Sequence, residues 1–157
     1  MVDKIFSWIE DTIMSVCKVC MVIQIVAVAI VVFGRTLFSK TPGWGEETAL
    51  LGMVWFSMLG GALAVREDKH IRITLIENIL SKKANRILDL SIYVLIILYS
   101  IVLVYIGIKY TAMSIPTVMS GIRISMGFLA ASVPIAGLSI LLLTIGKVRE
   151  LLCQSKQ

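Results

Sequence analysis

"ISMGFLAASVPIAGLSILLLTIG", residues 124–146, runs for 23 positions without a charged side chain. As an α-helix it would be about 34 Å long, more than the roughly 30 Å hydrocarbon core of a bilayer. Three further runs resemble it. Sixteen uncharged residues separate Lys18 from Arg35, 18 separate Glu47 from Arg66, and 19 separate Asp89 from Lys109. Only 16% of the 157 residues are charged and 58% are hydrophobic, whereas a soluble domain carries about a quarter charged. A soluble core could bury one such segment. Four in succession predict an all-α membrane protein, a single membrane domain over residues 1–157 with spans at about 13–34, 47–65, 90–109 and 124–146.

The flanks of these spans predict their orientation. With four spans, Lys4, Lys18, Arg66, Lys69, Arg72, Lys82, Lys83, Arg86, Lys147, Arg149 and Lys156 share one side, leaving Arg35, Lys40, Lys109 and Arg123 on the other. The excess of Lys and Arg marks the cytoplasmic side, so both termini and the middle connection are expected there. The net charge of +5 is then a topology signal. No basic patch with interleaved aromatics suggests nucleic acid. The N-terminal "MVDKIFSWIEDTIMSVCKVC" does not read as a cleaved signal peptide, because Asp3, Glu10 and Asp11 spoil a positive n-region. Phe6, Ile9, Ile13 and Val16 recur at helical spacing, an amphipathic lead into the first span, with Trp8 suited to the headgroup layer.

Between the second and third spans, Thr74 and Glu77 have the spacing of a capping box. Leu75, Ile76, Ile79, Leu80, Ala84, Ile87 and Leu88 make an apolar stripe with Lys82, Lys83 and Arg86 largely off it. This pattern predicts a cytoplasmic amphipathic helix over about 74–88 lying in the interface, turning into the third span near Asp89, its basic residues against lipid headgroups.

Chemistry-bearing groups are few. No Asp, Glu, Lys, Arg or His lies in the four uncharged runs, whereas autonomous ion-coupled transporters usually keep an ionisable residue or a broken helix at mid-membrane. One histidine, His70, cannot assemble a catalytic constellation or a metal site. Cys17 and Cys20 have C-x-x-C spacing, but no second pair is present to relay electrons, so packing is the simpler reading. No catalytic, cofactor or metal residues are expected. Small residues recur in the second span (Ser57, Gly60, Gly61, Ala64) and the fourth (Gly127, Ala130, Ala131, Gly137), marking close helix contacts within the chain or with a partner. Pro134 is expected to bend the fourth span.

"FGRTLF" followed by "PGWGEETALLGMVWFSMLGGALAVREDKHIRI" resembles the small, four-span membrane subunit of tripartite ATP-independent periplasmic (TRAP) transporters. The residues that carry the resemblance are Arg35; Trp44, Glu46 and Glu47; Gly60; Arg66, His70 and Ile71; and Pro134 within "SVPIAGL". It implies a non-catalytic subunit in a bacterial inner membrane, packing beside a large multi-span subunit that moves an organic acid, of C4-dicarboxylate or sialic acid class, with sodium. A soluble periplasmic protein would capture the substrate, and sodium would bind in the large subunit. An autonomous oligomeric transporter or channel, or a membrane thiol-redox enzyme using Cys17 and Cys20, are the alternatives.

The motif residues have individual expectations. Glu46 and Glu47 should oppose the positive end of the second span's helix. A sharper expectation pairs Glu47 with Arg35, although Arg35 alone could snorkel to headgroups. Arg66 and Lys69 should anchor the second span at its cytoplasmic exit, and Arg66 with His70 should hydrogen-bond loop backbone. Lys40, Glu46, Glu47, Lys109 and Arg123 are the polar residues available to dock a periplasmic protein.

Overall fold

A computed structural model describes residues 2–39, 42–66 and 82–154. Among the described residues five helices follow one another: α1 (Val2–Phe38), α2 (Gly43–Arg66), α3 (Lys82–Ser114), α4 (Met126–Ala130) and α5 (Ser132–Gln154). Four stretches among the described residues are long and apolar enough to cross a membrane: Phe6–Leu37, Gly43–Val65, Leu90–Ser114 and Met126–Arg149. Four such stretches are what the charge-free runs predict. The amphipathic N-terminus and the first span form one unbroken helix of 37 residues. It ends where Ser39 takes a left-handed φ of 50°, with Arg35 in the last turn facing the helix's negative end.

α2 and α5 are the central pair, with α1 packed on α2 and α3 on α5. Close approach is possible where glycine faces backbone. A Cβ on Gly52 would lie 3.0 Å from the Cys20 carbonyl, joining α2 to α1. On α3, a Cβ on Gly107 would meet Pro134 Cδ and N, both at 2.8 Å, and a Cβ on Gly137 of α5 would come within 2.9 Å of Val104 Cγ2. The core gathers Ile13 and Cys17 of α1, Leu59 and Ala62 of α2, and Ile140 and Leu143 of α5. Ile96 and Leu103 of α3 and Trp55 of α2 pack against it.

The fourth span is broken. Pro134 has no N–H for the carbonyl of Ala130, and its ring crowds that carbonyl. The regular helix accordingly stops at Ala130 and resumes at Ser132, placing Pro134 in the first turn of α5. Ala131 between them keeps right-handed dihedrals (φ −62°, ψ −20°) and its N–H still bonds Gly127 O (2.8 Å), so the interruption is a single residue. Buried hydroxyls close on backbone within a turn: Ser100 on Ile97 O (2.8 Å), Thr144 on Ile140 O (2.7 Å), and Ser132, across the interruption, on Leu129 O of α4 (2.7 Å). In hydrocarbon such bonds spare a polar group the cost of having no partner.

Two expectations meet this fold differently. Residues 82–88 continue straight into the third span as part of α3, so the turn expected near Asp89 is absent. No glycine or proline interrupts the chain from Lys82 to Gly107, and good helix formers propagate without a break. The rest of the expected interfacial helix, 74–81, lies outside the described residues, as does its capping box.

Candidate functional site

The end of the bundle where α1 passes into α2 carries the motif residues Arg35, Trp44, Glu46 and Glu47. α2 starts at Gly43, with the Gly45 N–H donating to the Pro42 carbonyl (3.0 Å) and the Thr48 hydroxyl to the Trp44 carbonyl (2.7 Å). Glu46 lies in the first turn, exposed to solvent, and Glu47 is half-buried beside it.

Opposite this turn the α3–α4 connection forms a small hairpin. Val118 and Ser125 make an antiparallel bridge. The Met119 N–H donates to Ile124 O (2.9 Å), and the Met126 N–H donates to Thr117 O (2.7 Å). The tip is closed by the Arg123 N–H on Met119 O (3.0 Å), which sets Arg123 at a left-handed φ of 54°. A side-chain-bearing residue there costs about 1–2 kcal/mol. At its base the Ser125 hydroxyl donates to Ile115 O (2.7 Å) and accepts the Gly127 N–H (3.1 Å), so Ser125 is the N-cap of α4.

Glu47 holds this hairpin to α2. Its Oε2 accepts the N–H groups of Gly121 (2.8 Å) and Ile122 (2.9 Å), and its Oε1 accepts the Ser120 hydroxyl (3.0 Å). Ionised carboxylates accept such bonds more strongly than neutral oxygens do. Gly121 is a matter of space, since a Cβ there would strike the Gly43 carbonyl. One carboxylate thus bridges residues 73 to 75 positions apart.

Arg35 is exposed near the end of α1 and is not among the partners of Glu47. Trp44 is exposed at the start of α2. Gly60 sits in open space, with no atom within 4 Å of a Cβ position. Of the two small-residue stripes, the fourth span's is therefore used within the chain, while among the described residues nothing lies within 4 Å of a Cβ at Gly60 or Gly61 of the second span. Pro134 packs on Gly107. Arg66 ends α2, and Lys82, Lys83 and Arg86 lie in the opening turns of α3; His70 and Lys40 lie outside the described residues.

Ser120, Gly121 and Ile122 were not singled out from sequence. Their signal was present in the Ser120-Gly121 pair, a common turn dipeptide, inside the alternating "TVMSGIRIS". Cys17 is buried in the core and Cys20 lies one helical turn on, both as free thiols. Among the described residues no cluster of three or more His, Cys, Asp or Glu could hold a metal.

Residues 24–154 match the family described as the DctQ component of tripartite ATP-independent periplasmic transporters. The chain is 24% identical over 118 residues to the sialic acid TRAP transporter small permease protein SiaQ of Vibrio cholerae, covering 75% of this chain and 68% of that one. It is also 24% identical over 108 residues to the sialic acid TRAP transporter permease protein SiaT of Haemophilus influenzae. That match covers 69% of this chain but only 16% of the much longer permease. The four apolar helices and the match across nearly all of them mark a multi-pass membrane component of a transporter, and the chain belongs to the DctQ component family of the TRAP transporters.

Proposed function

We propose that this chain is the non-catalytic small subunit of a sodium-coupled importer of organic acids, of the sialic acid or C4-dicarboxylate class. It packs against the large transport subunit in a bacterial inner membrane and stabilises it there. Both termini and the 67–81 connection face the cytoplasm, as the Lys and Arg distribution favours. The Glu47-held hairpin then faces the periplasm, where the soluble substrate-binding protein arrives. Sodium and substrate bind in the large subunit, and this chain needs no cofactor.

The observation that carries the reading is how the bundle interior is filled. Leu143 and Ala62 are wholly buried where the helices cross, and Ser100, Ser132 and Thr144 spend their hydroxyls on backbone carbonyls three or four residues earlier. Such an interior suits a scaffold. The surface, by contrast, exposes large apolar side chains along α1 and α3, area for lipid and a larger membrane partner.

The test is extraction of the tagged chain from its native membranes in mild detergent, with mass spectrometry of co-eluting proteins. A near-stoichiometric large polytopic partner is expected. An oligomer of this chain alone, active in transport after reconstitution, would replace the subunit reading with an autonomous transporter.

A further inference from the structure

α3 flanks the bundle on the α5 side, and one side of it meets none of the other described residues. Leu98, Val102, Tyr105 and Met113 are exposed there, Tyr105 to 60% and Met113 to 77%. Lys109 shares that side. It is the sole formal charge between Leu90 and Ser114, the limits of the third candidate span.

The direction of this lysine is what matters. Its Nζ lies 4.5 Å from the centroid of the Tyr105 ring, one helical turn back toward the N-terminus. Helical side chains lean that way because every Cα–Cβ bond tilts toward the N-terminus. Near the C-terminal end of a spanning helix, that direction leads toward the middle of the membrane. A lysine serving only as a headgroup anchor would reach the other way, to the near surface. An ammonium aimed inward on a lipid-facing side is costly, and ionisable residues within spans nearly always face protein or a water-filled cavity.

Nothing in the described chain neutralises it. No carboxylate among the described residues forms an ion pair with Lys109, and Glu47, at the same end of the bundle, is spent on the hairpin. The counter-charge therefore comes from outside. A phospholipid phosphate sits at the headgroup level, above the Tyr105 turn, whereas a carboxylate on a neighbouring helix can sit at its depth. In the Haemophilus influenzae relative the matched segment is a small part of a much longer permease, so further protein is joined to this module there.

The geometry points to the Tyr105–Lys109–Met113 side of α3 as an intramembrane contact with the large subunit, which presents a carboxylate to Lys109. This rests on the subunit reading above. The test places a photo-crosslinking amino acid at position 105 or 113 of the full complex, with position 33 on the outer side of α1 as comparison. Expected are adducts to the large subunit from 105 and 113. Lys109→Glu should reduce the co-purified large subunit on the order of tenfold or more, and Lys109→Arg should retain it. Adducts only to lipid from 105 and 113, or a K109E complex recovered at the normal level, would overturn the proposal while the subunits still co-purify. Failure of the unaltered chain to co-purify any large subunit would instead sink the subunit reading, and this contact with it.

Discussion

Glu47 occupies a position where a carboxylate ordinarily does no more than oppose a helix dipole. Here its oxygens also take two backbone N–H groups and a hydroxyl from the α3–α4 hairpin. Removing the carboxylate leaves those donors without their partner and frees the tip. Glu47→Ala should raise amide exchange at Gly121 and Ile122 toward the unprotected rate. Glu47→Gln, with one acceptor oxygen left, should give an intermediate rate. Unchanged protection in both would show that the hairpin holds itself. Arg123 tests the backbone of the same tip. Its φ of 54° suits glycine and resists a β-branched residue. Arg123→Gly should keep or slightly raise the thermal midpoint in detergent. Arg123→Val should lower it, by a cost of about 1–3 kcal/mol.

The helices meet at contacts that differ in kind. Gly107 faces the ring and nitrogen of Pro134 at distances that admit no Cβ, whereas Gly61 on α2 faces open space. Gly107→Leu should destabilise the isolated chain by about 1–3 kcal/mol, through forced separation of α3 and α5. Gly61→Leu should leave its thermal midpoint nearly unchanged; equal losses in the two variants would contradict this packing. Pro134 accounts for the interruption of the helix at Ala131, because a missing N–H and a crowding ring act locally. The glycine it rests on could not be foretold, since helix pairing brings Gly107 there. The hairpin was legible only in part: Pro116 and the Ser120-Gly121 pair mark a loop between the spans, but not that its tip reaches α2.

Across the chain, Cys17 and Cys20 distinguish a transporter component from a redox protein. Cys17 packs among Ile13, Leu59 and Leu143, so Cys17→Ala with Cys20→Ala should leave uptake by the assembled transporter close to wild type. Abolished uptake with an intact complex would reopen the thiol-redox alternative. The four spans and the family resemblance were legible in the amino-acid order. Charge is excluded from hydrocarbon whatever the neighbours are, so charge-free runs of 16 to 23 residues declare themselves. The order α1, α2, α5, α3 across the bundle, the break at Ala131 and the partner of Glu47 were not legible. A carboxylate at the head of a span is equally satisfied by an arginine on the preceding helix or by backbone N–H groups more than 70 residues away. Every residue but proline carries such an N–H, so sequence cannot mark the two that are used. Only the packing of α3 and α4 against α2 brings them within reach.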